Sequence, residues 1–210
     1  MAKLNVRQLT VGSVCTNCYL AMNEDTKELF IVDPGAQADR IADQIEQMGG
    51  KPTAILLTHG HFDHAGAAAA LKEKYGIRVY AHEAEKETLK DPSVNLSGSM
   101  MGQPEVYHAD VFLKEEEELT LAGMKVRVLL TPGHTAGGVC YYLPQEMVVF
   151  SGDTLFAESV GRTDFPGGGA ATLIRSIREK LMPLPDFIKV YPGHNELTTI
   201  GNERSYNPFL

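Results

Sequence analysis

The chain has 210 residues, a formal net charge of −8 and 43% hydrophobic residues, a composition ordinary for a globular protein. Its acidic balance argues against a general nucleic-acid-binding surface, and no apolar stretch reaches the ~20 residues that a membrane helix needs. Met1 to Gly12 lacks the apolar core of a signal peptide. We therefore expect one domain over residues 1–210, a cytoplasmic location, and neither nucleic-acid nor membrane partners; the oligomeric state stays open.

The first half of the chain alternates strands with helices. The patterning predicts strands at Leu4 to Val11, Cys18 to Met22, Leu29 to Asp33, Ala54 to Thr58 and Ile77 to Ala81. It predicts helices at Gln37 to Met48, His64 to Tyr75 and Ala84 to Lys90, the first two followed by glycine. Asp91 to His108 has weak periodicity and many turn formers, which fits either a lid or rim of a site or a plain surface crossover.

The second half resembles the first in style. Strands are predicted at Glu118 to Leu121, Met124 to Thr131, Val139 to Leu143, Met147 to Ser151 and Ile188 to Tyr191, with a helix at Ala171 to Leu181. Each half is thus a strand-rich meander with helices on one side. Two such halves, packed sheet against sheet with helices outside, predict an α+β four-layer αβ/βα sandwich with two mixed sheets.

The most informative segment is Thr58-His59-Gly60-His61-Phe62-Asp63-His64, which holds three imidazoles and one carboxylate within six residues. It follows a buried-strand pattern and precedes a helix pattern. A hydrophobic core does not accommodate this many imidazoles, because each buried ring needs a hydrogen-bond partner. Imidazole nitrogens and carboxylate oxygens are ligands that zinc, iron and manganese accept, so the segment predicts a metal site.

Three further ligand candidates follow apolar runs in glycine-containing turns: His134, Asp153 and His194. Seven ligands suffice for two divalent metal ions, with zinc expected and iron or manganese as alternatives. The spacing allows His59 and His61 to converge on one ion with His134. Asp63 and His64, at the start of the helix, can turn toward a second ion, which His194 completes. Asp153 has two oxygens and can bridge the two ions.

Such a pair supplies a hydroxide nucleophile at neutral pH, so no serine or cysteine nucleophile is needed. Asp63 could also orient the attacking water. Asp33 is either an outer partner that fixes a ligand imidazole or a turn cap. His82 and His108 are expected to be ordinary core or surface residues. Cys15-Thr16-Asn17-Cys18 has the spacing of a redox motif or a zinc half-site, but Cys18 is expected to be a small buried thiol at the start of a strand.

The ligand pattern resembles the metallo-β-lactamase superfamily, with His-x-His-x-Asp-His at 59–64 followed by His134, Asp153 and His194. Within it the chain looks like the short glyoxalase II (hydroxyacylglutathione hydrolase) branch, through Pro132 to Thr135, Gly152 to Phe156, Gly161 to Phe165 and Asn207 to Leu210. The resemblance implies the metallo-β-lactamase fold. It also implies the ligand assignment given above, with Asp153 as the bridge.

The resemblance implies a metal-dependent hydrolase that cleaves a hydroxyacyl thioester with a metal-bound hydroxide, with Asp63 and Asp153 catalytic. Its partner is then a small-molecule acyl thioester. Arg162 is a candidate anchor for a substrate carboxylate, or else a structural ion pair with Asp164. Full-length glyoxalase II carries a C-terminal helical domain that contacts glutathione; because the sequence stops at Leu210, we expect only modest activity on the glutathione ester.

The alternative is an iron-dependent persulfide (sulfur) dioxygenase, because relatives with that activity keep the same ligand set and the Gly-Arg-Thr-Asp-Phe segment. Gly193-His194 favours the hydrolase, although the family often has glycine where Asn195 stands. True β-lactamases of the commonest zinc class place cysteine at the bridging position, and Asp153 argues against that activity.

Overall fold

The computed structural model describes residues 3–210. Met1 and Ala2, the first two residues of the segment Met1 to Gly12, lie outside the described residues. Fourteen strands are present in the described residues: β1 Leu4–Val11, β2 Thr16–Asn23, β3 Glu28–Val32, β4 Lys51–Leu56, β5 Arg78–His82, β6 Val111–Leu113, β7 Glu118–Leu121, β8 Met124–Leu130, β9 Val139–Leu143, β10 Val148–Gly152, β11 Leu155–Phe156, β12 Ser159–Val160, β13 Lys189–Pro192 and β14 Thr198–Thr199.

Six α-helices accompany these strands within residues 3–210: α1 Ala38–Gln47, α2 Phe62–Ala65, α3 Ala68–Tyr75, α4 Lys86–Lys90, α5 Ala170–Ser176 and α6 Ile200–Tyr206. A 3₁₀ turn, Glu83–Glu85, leads into α4, and π-helical turns lie at Ser97–Met101 and Ile177–Leu181. Among all these helices, none combines the length and apolar character that crossing a membrane requires.

The strands form two six-stranded mixed sheets and one small hairpin. The first sheet has the order β1-β2-β3-β4-β5-β6, and the second has the order β14-β13-β10-β9-β8-β7. In the first sheet β3, β4, β5 and β6 run parallel, and in the second β10 and β13 run parallel. The ligand-bearing turns follow three of these parallel strands, β4, β10 and β13, and the antiparallel strand β8.

Three apolar clusters separate four layers. Between the two sheets, residues such as Tyr19 and Phe30 pack against Tyr141 and Phe150, all of them fully buried. A second cluster joins the first sheet to α1 and α3, and a third joins the second sheet to α5 and the following π-helical turn. The four-layer αβ/βα sandwich with two mixed sheets predicted from the sequence is therefore confirmed.

Several element boundaries differ from the sequence-based expectation. The helix predicted over His64 to Tyr75 is two helices, α2 and α3, interrupted at Gly66. At the interruption the Ala67 amide donates to the Pro34 carbonyl at 2.8 Å instead of to a carbonyl of the preceding helical turn. The helix predicted over Ala171 to Leu181 changes from α to π geometry after Ser176.

Other elements were missed by the sequence patterning. Strand β6, the hairpin of β11 and β12, strand β14 and helix α6 were not predicted. The strands in this set have two or three residues each, too few to show alternation. Helix α6 is capped by Thr199, whose hydroxyl accepts from the Asn202 amide, but it buries only Ile200 and Glu203 and so lacks a clear apolar stripe.

Candidate metal centre

All seven predicted ligands lie together at one edge of the sandwich. The turn after β4 carries His59 and His61, and the first turn of α2 carries Asp63 and His64. From the second sheet come three more, each just beyond a strand or at its end: His134 after β8, Asp153 after β10 and His194 after β13. The second sheet thus completes a site that the first sheet begins.

Three imidazoles converge to form the first subsite. His59 Nε2 lies 3.1 Å from His61 Nδ1, and His134 Nε2 lies 3.0 Å from the same atom. All three side chains are buried. A tetrahedral zinc with Zn–N distances of ~2.0–2.1 Å places its ligand nitrogens roughly 3.3 Å apart, close to these separations.

The second subsite combines carboxylate and imidazole. Asp63 Oδ2 lies 3.3 Å from both His64 Nε2 and His194 Nε2. Asp153 stands between the subsites: its Oδ2 is 3.5 Å from His134 Nε2 and 3.6 Å from His194 Nε2, and its Oδ1 is 3.4 Å from His64 Nε2. Both predicted groups of three ligands are brought together, with Asp153 in the position of a bridge.

Hydrogen bonds on the far side of the rings fix which nitrogen faces the cluster. His134 Nδ1 is 2.7 Å from the Arg162 carbonyl oxygen, which can only accept, so Nδ1 carries the proton. Thr58 donates its hydroxyl to Asp33 Oδ2 at 2.6 Å, and its oxygen therefore accepts from His59 Nδ1 at 3.1 Å. The Nε2 lone pairs of His59 and His134 consequently point into the cluster.

Asp33 also reaches the second subsite. Its Oδ2 lies 2.9 Å from His64 Nδ1, and its Oδ1 accepts from the Thr58 amide at 2.7 Å. The side chain is buried, and its backbone adopts the left-handed region with φ of 51°. Of the two interpretations left open for Asp33, these contacts support the outer partner that orients ligand imidazoles.

Burial dominates the protonation of the first subsite. Removal from water lowers the pKa of His59 and of His61 well below the usual imidazole value, and neighbouring imidazoles lower it further. Both rings are thus neutral at physiological pH. Neutral imidazole is the form that binds a transition metal.

The second subsite is ionic instead. Burial acts to lower the pKa of His64, but the carboxylates of Asp63, Asp153 and Asp33 raise it well above the usual value. Burial acts to raise the pKa of Asp63, but His64 and His194 hold it well below its usual range. A compact cluster of carboxylates that attracts a proton this strongly also attracts a divalent cation, which replaces the proton.

The residues present fit a metal pair by a direct observation. Asp153 Oδ1 and His64 Nε2 are buried and have no hydrogen-bond partner among the described residues. Buried polar atoms are otherwise almost always paired, because an unpaired one costs ~1–3 kcal/mol. The two orphaned atoms face each other across the second subsite, where a cation would satisfy both.

A cavity of about 380 Å³ opens over the cluster. Its apolar wall is formed by Val14, Leu96, Met100, Phe156, Val160 and Phe165. Arg162 lines its rim, where its guanidinium lies 4.4 Å from the centre of the Phe165 ring and pairs with Asp164 at 3.0 and 2.8 Å. Arg162 therefore borders the cavity and forms the predicted ion pair at the same time.

The segment from Asp91 to His108 forms one rim of this cavity. The Asn95 carbonyl accepts from the Phe62 amide at 2.9 Å, at the start of the helix that carries Asp63 and His64. Leu96 and Met100 from this segment line the cavity itself. Of the two interpretations of the loop, the contacts support the rim rather than a plain surface crossover.

Glu85 is a buried carboxylate that the sequence analysis missed. Its Oε2 accepts from the Gly60 amide at 2.6 Å and its Oε1 from the Gly137 amide at 2.8 Å. It thereby ties the turn between His59 and His61 to the turn that follows His134. Burial raises the pKa of Glu85, although these hydrogen bonds oppose the shift. No pattern in the sequence distinguishes it from the other acidic residues of its helix.

Two polar residues of β2 were also missed. Thr16 donates to Asp63 Oδ2 at 2.7 Å. Asn17 donates through Nδ2 to the carbonyls of Pro192 and Asn195, at 3.1 and 2.9 Å, on either side of His194. Both are buried in a strand that is buried throughout. Two adjacent polar residues opening such a strand are the signal that could have revealed them.

Within the described residues, no candidate ligand group includes the histidines and cysteines that were expected to be unrelated to metal binding. His82 is buried and accepts from the Ala84 amide at 3.2 Å, and His108 is exposed. Cys18 is fully buried, which raises the pKa of its thiol, while Cys15 is exposed. These placements agree with packing and surface roles.

Comparison with known proteins agrees with this geometry. The family model described as the metallo-beta-lactamase superfamily matches residues 14–194. The chain is 41% identical to the probable metallo-hydrolase YqgX of Bacillus subtilis, covering 97% of this chain and 96% of the relative. It is 39% identical to the hydroxyacylglutathione hydrolase GloC of Haemophilus influenzae, covering 99% and 98%.

Solved structures are similar over almost the whole chain. The BLEG-1 B3 metallo-beta-lactamase is 43% identical with a TM-score of 0.94, covering 98% of this chain and 99% of that one. ETHE1 from Myxococcus xanthus is 31% identical, with a TM-score of 0.81 and coverages of 97% and 83%. A di-iron-bound form of TTHA1623 is 36% identical, with a TM-score of 0.83 and coverages of 97% and 100%. The chain belongs to the metallo-beta-lactamase superfamily.

Proposed function

We propose that this metallo-hydrolase family member cleaves hydroxyacyl thioesters, consuming water and releasing a carboxylate and a thiol. The observation that carries the proposal is the complete set of seven ligands in two subsites, with Asp153 between them. The similarity to a protein named hydroxyacylglutathione hydrolase supports the choice of substrate class.

We assign His59, His61 and His134 to one metal ion, and Asp63, His64 and His194 to the other, with Asp153 shared. Held by these residues, a metal pair would supply a hydroxide nucleophile at neutral pH and would stabilise negative charge that develops on the thioester carbonyl oxygen. Zinc is the proposed native pair. The similarity to a di-iron-bound relative keeps iron as an alternative, and manganese remains a third option.

The protein's own groups then hold and orient the reactants. Asp63 is fixed by the Thr16 hydroxyl, which donates to its Oδ2 at 2.7 Å, and we assign Asp63 the further role of orienting the attacking water. Phe156 and Phe165 exclude bulk water from the cavity above the ligands. Arg162, exposed at the rim, exchanges Asp164 for a substrate carboxylate, since its guanidinium can donate two hydrogen bonds to either one.

A second function belongs to a different reaction class. This second candidate is an iron-dependent persulfide dioxygenase, the alternative that the sequence also suggests. ETHE1 from Myxococcus xanthus is similar over 97% of this chain. The ligand set serves both reactions, so only the reaction itself distinguishes them.

The test reconstitutes one preparation separately with zinc and with iron. Each form receives S-lactoylglutathione in one cell and glutathione persulfide, under an oxygen electrode, in another. We expect thioester cleavage with no oxygen consumed, abolished in Asp153→Ala. Oxygen uptake with the persulfide, together with no thioester cleavage by either form, would transfer the proposal to the dioxygenase. A β-lactam is offered to each form as a further substrate, because BLEG-1 is named a B3 metallo-beta-lactamase.

A further inference from the structure

A second cavity opens beside the metal centre. It has a volume of about 360 Å³, within the range of small-molecule sites, and meets the metal cavity at Val14, Phe62 and Asp63, which line both. It lies between the β1–β2 turn, the segment after Asp33 and helix α3. A substrate held at the metal ligands therefore has two directions in which to extend.

The two cavities differ in charge. Arg162 lines only the metal cavity. The second cavity has no lysine, arginine or histidine among its lining residues in the described chain; its charged residues are Asp63 and Glu105. The Glu105 carboxylate accepts from the Tyr107 hydroxyl at 2.9 Å, which holds it in place. An anionic group is therefore repelled from the second cavity and favoured at the rim with Arg162.

The lining of the second cavity is mostly apolar and small. Ala36, Ala38, Ala67 and Ala70 line it together with Phe62 and Met101. Alanine side chains leave a groove open that larger residues would fill, and the Met101 side chain adapts to apolar ligands of varied shape. A slender, uncharged chain matches this surface.

From these observations we infer that the second cavity binds the acyl arm of the substrate and selects uncharged acyl chains longer than lactoyl. This inference rests on the proposed thioester hydrolysis. The assignment of the acyl arm depends on which way the substrate lies. If a carboxylate on the thiol arm pairs with Arg162, the acyl arm extends in the opposite direction, past Asp63 and into the second cavity.

Neighbouring alanines of helix α3 provide a matched test. Ala70 lines the second cavity, whereas Ala69 lines a separate cavity near Val106 and Tyr107, and both are exposed. Ala70→Trp fills the second cavity and Ala70→Arg places a cation in it. Ala69→Trp and Ala69→Arg impose the same chemical changes elsewhere, on a helix whose packing they leave intact.

Three glutathione thioesters are compared: S-lactoyl, S-(2-hydroxyhexanoyl) and S-(2-hydroxyglutaryl). We expect the unmodified enzyme to prefer the hydroxyhexanoyl over the hydroxyglutaryl ester in kcat/KM by about tenfold or more. Ala70→Trp should lower kcat/KM for the hydroxyhexanoyl ester by about tenfold. For the lactoyl ester, kcat/KM should stay within about twofold of the value for the unmodified enzyme. Ala70→Arg should raise the relative rate with the hydroxyglutaryl ester. Both Ala69 variants should behave like the unmodified enzyme.

Binding of free 2-hydroxyhexanoate, measured by calorimetry, provides a readout that needs no turnover, and Ala70→Trp should weaken it. Exchanging glutathione for N-acetylcysteamine, with the acyl group kept, tests the direction of the substrate. If the Ala70 effects followed the thiol rather than the acyl group, or equalled those of Ala69, the acyl assignment would be wrong while thioester hydrolysis stood. Cleavage of none of the three esters would overturn the proposed function and this inference together.

Discussion

Individual side chains at the metal centre are held by groups that never touch the metal. The Thr58 hydroxyl links His59 to Asp33, and the Arg162 carbonyl fixes His134. Because each such contact settles which ring nitrogen is protonated, the lone pairs face the cluster before any ion binds. The geometry of the ligands is therefore built into the protein.

Replacing Asp153 should damage the site more than any other single carboxylate change. Asp153→Ala removes the group that lies within 3.6 Å of ligand nitrogens in both subsites, so metal content and activity should fall together, activity by more than about 100-fold. Cys18→Ala is the control, because this buried thiol packs in β2 and should alter stability alone. Metal analysis and steady-state rates would check this, and normal turnover by Asp153→Ala would refute the ligand assignment.

Glu85 should act as a positioning residue. In Glu85→Gln one oxygen becomes an amide that faces a backbone N–H, so either Gly60 or Gly137 loses its acceptor, at a cost of ~1–3 kcal/mol. The turn that carries His59 and His61 loosens, and metal affinity should fall by about 10–100-fold. Competition with a chelator would measure it. Glu83→Gln, exposed two residues away, is the matched control; equal affinities in the two variants would assign Glu85 to packing alone.

Arg162 should govern substrates with a carboxylate near the rim. Arg162→Ala should raise KM for carboxylate-bearing thioesters by about tenfold while kcat and the KM for neutral thioesters change little, because the guanidinium contacts only the charged group. Arg175→Ala, an exposed arginine on α5, provides the control. A uniform loss with all substrates would instead indicate that the pair with Asp164 is structural.

At the scale of elements, the centre is built from strand ends. The sequence predicted these strands and the seven side chains that gather at their ends, because buried strands have strong apolar runs and the histidines follow them directly. It missed Glu85 and Asn17, since their roles depend on contacts between segments far apart in the chain: Asn17 reaches residues 175 and 178 positions away. It merged α2 and α3 because the hydrogen bond from the Ala67 amide to the Pro34 carbonyl is a tertiary contact and leaves no periodic signal.

Strand β2 should hold the last ligand in place. Asn17→Ala removes both side-chain hydrogen bonds to the turn that carries His194. It leaves the backbone amide of position 17 on the Gly193 carbonyl, at 2.7 Å, and the Tyr19 hydroxyl on the Pro192 carbonyl, at 2.6 Å. We expect the second subsite to weaken while the first keeps its metal, seen as one retained equivalent after mild chelation. Asn5→Ala, which removes a bond to Glu24 on the same strand pair, should retain both equivalents. Loss of both metals from Asn17→Ala would contradict this division.

At the scale of the whole molecule, the metal centre joins the two sheets. Four ligands follow strands of the first sheet and three follow strands of the second, while the apolar cluster between the sheets lies beneath them. A bound ion is thus a cross-link between halves that otherwise meet through hydrophobic packing. Metal binding should consequently stabilise the whole fold rather than one loop.

We predict two divalent metal ions per chain and a stability that rises in two steps as they bind. Each ion at 100 times its dissociation constant contributes ~2.7 kcal/mol, provided that the unfolded chain does not bind it. For a chain of this length, that corresponds to a Tm increase of roughly 5–10 °C for each ion. Elemental analysis of the loaded protein and a thermal melt at each point of a zinc titration would check the prediction. In Asp153→Ala most of the metal-dependent increase in Tm should be lost, because both subsites share the Asp153 carboxylate. In Cys18→Ala the increase in Tm should be unchanged. A firm plateau at one equivalent, with no further rise in Tm, would show that only one subsite binds metal.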